Sequence, residues 1–242
     1  MNPVYSLIFF TVSSSAGYGL LALLGLVGNA HGRASSMAFG LTGVMIAFAL
    51  ITTGQLASRQ RAWRSSWSSR AGLASVITYP IALGFGCVWS GLVDAPALIA
   101  PLGILTALIC AVTVFCTAMI YYSRKSVPAW NNKFIVPVYL AFALVTGSGL
   151  LNVISFIFGR FQTDAGKFMA FLTVALILIV IALKWFERRE PKRKFQIIMF
   201  ALLVVALLLI LLSLILPWLT IIVALLILAA AGVDHWLFLA QG

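Results

Sequence analysis

Four arginines and two tryptophans interrupt an otherwise apolar chain between Gln55 and Gly72, in the stretch QLASRQRAWRSSWSSRAG. Arg59, Arg61, Arg64 and Arg70 offer planar forks of N–H donors, and Trp63 and Trp67, four apart, would share one face of a helix. Both residue types combine an apolar body with a polar end, which suits a bilayer surface. Composition alone makes the stretch an anchoring loop. Other polar and aromatic residues belong to the same side of the membrane: Thr52, Thr53 and Gln55 just before it, and Trp130, Asn131 and Asn132 in a later loop. A quinone has an apolar tail and carbonyl oxygens that accept hydrogen bonds, so it needs a lipid-accessible groove ending in donors. This cluster supplies them, and it would equally suit a lipid headgroup.

Other chemistries find little to work with. No Ser/His/Asp set, Gly-rich phosphate loop or spaced carboxylate pair occurs, so no catalytic residue is assigned. Cys87, Cys110 and Cys116 lie inside apolar runs and form no close Cys/His pattern for zinc, haem or an iron–sulfur cluster; they are expected to be packing residues, with no metal site in the chain. His31 and His235, the two histidines, fall on opposite sides of the predicted membrane and cannot both ligate one haem. His31 belongs to a solvated turn. His235, beside Asp234 and Trp236 at the end of the last apolar run, is expected to be interfacial and is grouped with the quinone-site candidates.

The elements that must hold these residues are membrane spans. The chain has 242 residues, 63% of them hydrophobic and 9% charged, far outside the profile of a soluble domain. Its net charge of +11 comes from residues flanking apolar runs, where they meet anionic headgroups rather than nucleic acid. The N-terminus lacks the features of a cleaved signal, so the first helix is expected to be retained. With about 20 apolar residues needed per helix, eight spans are predicted: about Pro3 to Val27, Met37 to Ala57, Gly72 to Val93, the run after the Asp94-Ala95-Pro96 connection to Tyr122, Phe134 to Gly159, Phe168 to Phe186, the run after Lys194 to Leu216, and the run after Trp218. The fold class is thus all-α, one polytopic domain over residues 1–242 forming a bundle of eight transmembrane helices.

Arg59, Arg61, Arg64 and Arg70, then Arg124, Lys125 and Lys133, then Lys184, Arg188, Arg189, Lys192, Arg193 and Lys194 fall on one side. Arg33, Arg160 and Lys167 fall on the other, a bias of thirteen to three. Positive charge in short loops stays inside, which places both termini and the Arg/Trp loop in the cytoplasm. Every Lys, Arg, Asp and Glu falls at or near a predicted helix end, which weighs against an ion-coupled transporter. Spans one to five are rich in Gly, Ala and Ser and are expected to form the packed centre, with Leu-rich spans six to eight outside them.

The order of motifs resembles the anchor subunit of dimethyl sulfoxide reductase and its relatives in membrane sulfite- and polysulfide-metabolising complexes. That family ends its second span in His-Leu-Gly-x-Pro-x-Arg-Ala-Trp followed by Trp-Arg-x-Ser-Trp-Leu-Ser-Arg-Glu. Here the run is Gln55-Leu56-Ala57-Ser58-Arg59-Gln60-Arg61-Ala62-Trp63, then Arg64-Ser65-Ser66-Trp67-Ser68-Ser69-Arg70-Ala71. Its Tyr-x-Ser-x-x-x-Val-Pro-x-Trp element is similar to Tyr121 through Trp130, and its Trp-Leu-Phe ending to Trp236, Leu237 and Phe238. The resemblance implies a bacterial or archaeal inner-membrane subunit of anaerobic respiration. Such a subunit anchors a molybdopterin catalytic subunit and a ferredoxin-like iron–sulfur subunit, and exchanges electrons with quinone without haem. The quinone-binding candidates are Gln55, Arg59, Arg61, Trp63, Trp67, Arg70, Trp130 and His235. Where the family has a histidine and a glutamate linked to quinol, this chain has Gln55 and Ala71, neither of which can shuttle protons. Either Asp234 or His235 takes that part, or this copy mainly anchors. Two other classes remain: a small-solute transporter, for which no internal repeat is seen between the halves, and an anchor with no quinone site.

Overall fold

The computed structural model describes residues 3–27, 33–58, 66–123, 130, 132–187 and 193–239. They form eight α-helices: α1 (Pro3–Val27), α2 (Arg33–Ser58), α3 (Ser66–Trp89), α4 (Ile99–Tyr122), α5 (Ile135–Ile157), α6 (Asp164–Glu187), α7 (Arg193–Ser213) and α8 (Leu219–Leu239), with one 3-10 turn at Pro96–Leu98. No strand occurs among the described residues. Seven of the helices are, in their described residues, long and apolar enough to cross a membrane. In α2 the qualifying apolar stretch is the shorter Gly40–Gly54.

Two apolar clusters share α5. Its Tyr139, Ala143, Leu151 and Ile154 join α1 to α4 in the first, while Val138, Ala141, Phe142 and Val145 join α6, α7 and α8 in the second. Helix α1 lies at the centre, with 72% of its apolar window buried against 22% for α7. Glycine makes this possible. A Cβ at Gly19 would collide with the carbonyl of Ala143, one at Gly147 with the backbone of Gly19, and one at Gly25 with the carbonyl of Gly103. Backbone therefore meets backbone where α1 crosses α5 and α4, the close approach that small residues allow in lipid.

The expected centre of spans one to five needs adjusting, because α3 and α4 each turn an apolar face outward while α8 packs on both α5 and α1. A second difference lies at the start of α3, which begins at Ser66 rather than Gly72. Trp67 and Arg70 are thus on its first turns, where the i, i+3 spacing sets the guanidinium 4.6 Å above the indole. At the far end of α5, Gly159 takes φ 66°, and the N–H groups of Gly159 and Arg160 bond the carbonyls of Phe156 and Ser155 at 3.0 and 2.7 Å. This left-handed turn closes the helix and sets the direction of Arg160.

Candidate functional site

One end of the bundle collects the C-termini of α2, α4, α6 and α8 and the N-termini of α3, α5 and α7, and its connecting segments carry most of the basic residues. Contacts between these helix ends hold it together. On one flank Trp67 meets Phe115 of α4 edge to face, with ring centroids 6.2 Å apart, and the Arg70 guanidinium lies over the Trp67 ring. On the other flank Trp130 is buried and stacks on Phe238 of α8 with an interplanar angle of 13°, donating its Nε1–H to the Phe238 carbonyl at 3.1 Å. Tyr121 at the end of α4 touches Trp130, Tyr139 and Phe238, so one aromatic cluster ties α4, α5 and α8 to the loop before α5.

That cluster runs on into a polar one. The Tyr139 ring lies 5.0 Å from the imidazole of His235, and Phe142 meets that imidazole edge to face at 6.3 Å. On the preceding residue, Asp234 turns toward α6, where Lys184 Nζ lies 2.5 Å from its Oδ1 and also bonds Glu187. All four side chains are enclosed: Asp234, His235 and Glu187 are buried, and the Lys184 side chain is 11% exposed. Charges taken out of water need partners of this kind, because an isolated buried ion costs several kcal/mol, in round figures about 5. The three charged residues do lie near helix ends, as the hydropathy pattern implies. Their burial inside protein instead of at a solvated surface follows from how α5, α6 and α8 meet. His235 is likewise interior rather than interfacial, at 2% exposure.

The candidate residues therefore divide. Trp130 and His235 join through Phe238 and Tyr139, and Trp67 and Arg70 join each other on the flank of α3 and α4. Gln55 sits on the last turn of α2, and its side chain, like the whole of Arg59, Arg61 and Trp63, lies outside the described residues. In the sequence Lys184 reads only as a flanking charge and Tyr121 only as the start of a loop motif, and neither they nor Glu187 and Tyr139 read as site residues. The only signal was an i, i+3 Lys/Glu pair closing one apolar run and an Asp-His pair near the close of another.

At the opposite end, a pocket between α1, α3, α5 and α6 is lined by Trp89, Leu151, Ser155, Arg160 and Gly166. Partial burial draws the Arg160 guanidinium down from its ordinary pKa. Among the described residues no group of three or more His, Cys, Asp or Glu is placed to hold a metal ion.

Fold and composition define the class: an all-helical chain with several helices able to span a membrane, the pattern of a multi-pass membrane protein. No family model, no curated protein and no solved structure matches the chain.

Proposed function

We propose that the chain is the membrane anchor of a molybdopterin/iron–sulfur oxidoreductase of a bacterial or archaeal inner membrane. All eight helices span, the basic end faces the cytoplasm, and the soluble subunits dock there. The anchor exchanges electrons between quinone and the iron–sulfur subunit, with Gln55, Arg59, Arg61, Trp63, Trp67, Arg70, Trp130 and His235 lining the quinone region. The supporting observation is that the helix ends bearing the two loop motifs converge: Arg70 and Trp67 on α3 reach α4, and Trp130 reaches α8, at one end. An anchor whose partner contributes the redox centres needs its aromatic and basic groups gathered on one face.

Purification from the native membrane tests the assembly, since the protein should bring down a ferredoxin-like iron–sulfur subunit; recovery as a lone protein at full yield overturns the proposal. The quinone region is tested by Arg61→Lys and Trp63→Ala, read as quinol-linked activity together with subunit retention. A lysine keeps the charge but loses the planar fork, so activity should fall by about tenfold with the complex intact. Full activity in both variants leaves the loop an anchor.

A further inference from the structure

The imidazole of His235 has one nitrogen committed and one bare. Its Nδ1 lies 3.0 Å from the carbonyl oxygen of Ala231, one turn back on α8. A carbonyl only accepts, so Nδ1 carries the hydrogen, and in the neutral ring Nε2 presents a lone pair. That Nε2 is buried and has no hydrogen-bond partner, in a side chain 2% exposed. A buried acceptor left unmade costs about 1–3 kcal/mol, so its retention calls for a reason. A fixed Nδ1–H with an open Nε2 is the arrangement of a positioned base.

The surroundings say what such a base would bind. Asp234 adjoins His235 on α8 and pairs with Lys184 of α6, which also bonds Glu187, and Tyr139 lies against the His235 ring from α5. Phe142 meets the ring edge to face with centroids 6.3 Å apart, and the aromatic cluster continues from Tyr139 to Phe238. Metal binding is disfavoured, because the Lys184 ammonium already occupies the carboxylates. A proton needs no cavity.

We propose that His235 is a proton-binding site inside the membrane domain, loaded on Nε2 from water at the basic end. The step forms one N–H bond and converts the neutral ring to imidazolium, with Nδ1–H kept on Ala231. Asp234 stabilises that charge, and Lys184, sharing the same carboxylate, opposes it. Glu187, the last residue of α6, stands beside Lys184 and connects the cluster to the connecting segment. The site does not depend on quinone chemistry, although a quinone enzyme without the family's histidine and glutamate would have use for it.

The chain contains only two histidines, so His31→Gln leaves His235 as the sole imidazole. The full-length protein, labelled with nitrogen-15 histidine in lipid nanodiscs and free of quinone, is titrated by NMR from about pH 9 to about pH 4, a range that brackets ordinary histidine. The expected result is the Nδ1–H tautomer at the alkaline end, converting reversibly to imidazolium within the range. In Asp234→Asn the midpoint should fall by about one pH unit, as loss of an adjacent carboxylate requires. A ring that stays neutral throughout makes His235 a packing residue and overturns the proposal, as does a midpoint unmoved by Asp234→Asn in a protein of unchanged helicity. Because no quinone or partner subunit is present, failure here is separate from failure of the anchor assignment.

Discussion

The two apolar clusters that share α5 are built on different principles. Around α1 the helices touch backbone to backbone at Gly19, Gly25, Gly103 and Gly147, and hydroxyls such as Tyr18 and Ser75, 2.6 Å apart, bond between helices. Around α6 to α8 the contacts run through side chains such as Ile177, Met199, Leu203, Ile210, Val223 and Ile227, Asn152 bonds Thr173 between α5 and α6, and the ionisable residues Lys184, Glu187, Asp234 and His235 gather together. Lipid tails are as apolar as leucine, so greasy surfaces alone give no reason for two helices to associate. The first cluster solves this by shape. The second adds, among the described residues, an ionic tie from Lys184 of α6 to Asp234 of α8.

The difference can be broken most severely at the glycine crossing. Gly19→Leu puts a side chain where the Ala143 carbonyl stands, and loss of the α1/α5 contact should cost more than about 4 kcal/mol and remove folded protein from membranes. Leu208→Ala on the exposed face of α7 should stay within about 0.5 kcal/mol in the same detergent-unfolding assay. Equal effects would erase the contrast between centre and periphery.

Lys184→Met attacks the ionic tie. It leaves Asp234 and Glu187 without this cation, and stability should fall by about 3–5 kcal/mol, with Lys184→Met/Asp234→Leu recovering the part due to Asp234. No recovery in the double variant means that the pair is not what joins α6 to α8. A smaller loss is expected from Trp130→Phe, which keeps a ring against Phe238 but removes the Nε1–H donor, about 1 kcal/mol by thermal unfolding. The smallest belongs to Tyr18→Phe. One interhelical hydrogen bond in a membrane protein averages about 0.6 kcal/mol, so this variant should be nearly silent next to Gly19→Leu if shape rather than hydrogen bonding holds the first cluster.

The sequence by itself determined the helices and their punctuation. Apolar runs of spanning length fixed α1, α4 and α5 to within a few residues, and the Asp94-Ala95-Pro96 and Pro217-Trp218 breaks marked turns, because length, proline and glycine act locally. It also placed the charges near helix ends. It did not extend α3 back to Ser66, since the Arg70 and Trp67 contact that favours helix there looks like loop composition when read along the chain. Nor did it reveal the enclosure of Lys184, Glu187, Asp234 and His235, which are up to 51 positions apart. Hydropathy reports how each helix meets lipid on average. Only the tertiary structure decides which face meets another helix, and a terminal Lys or Asp reads the same from sequence whether it reaches water or a neighbour's carboxylate.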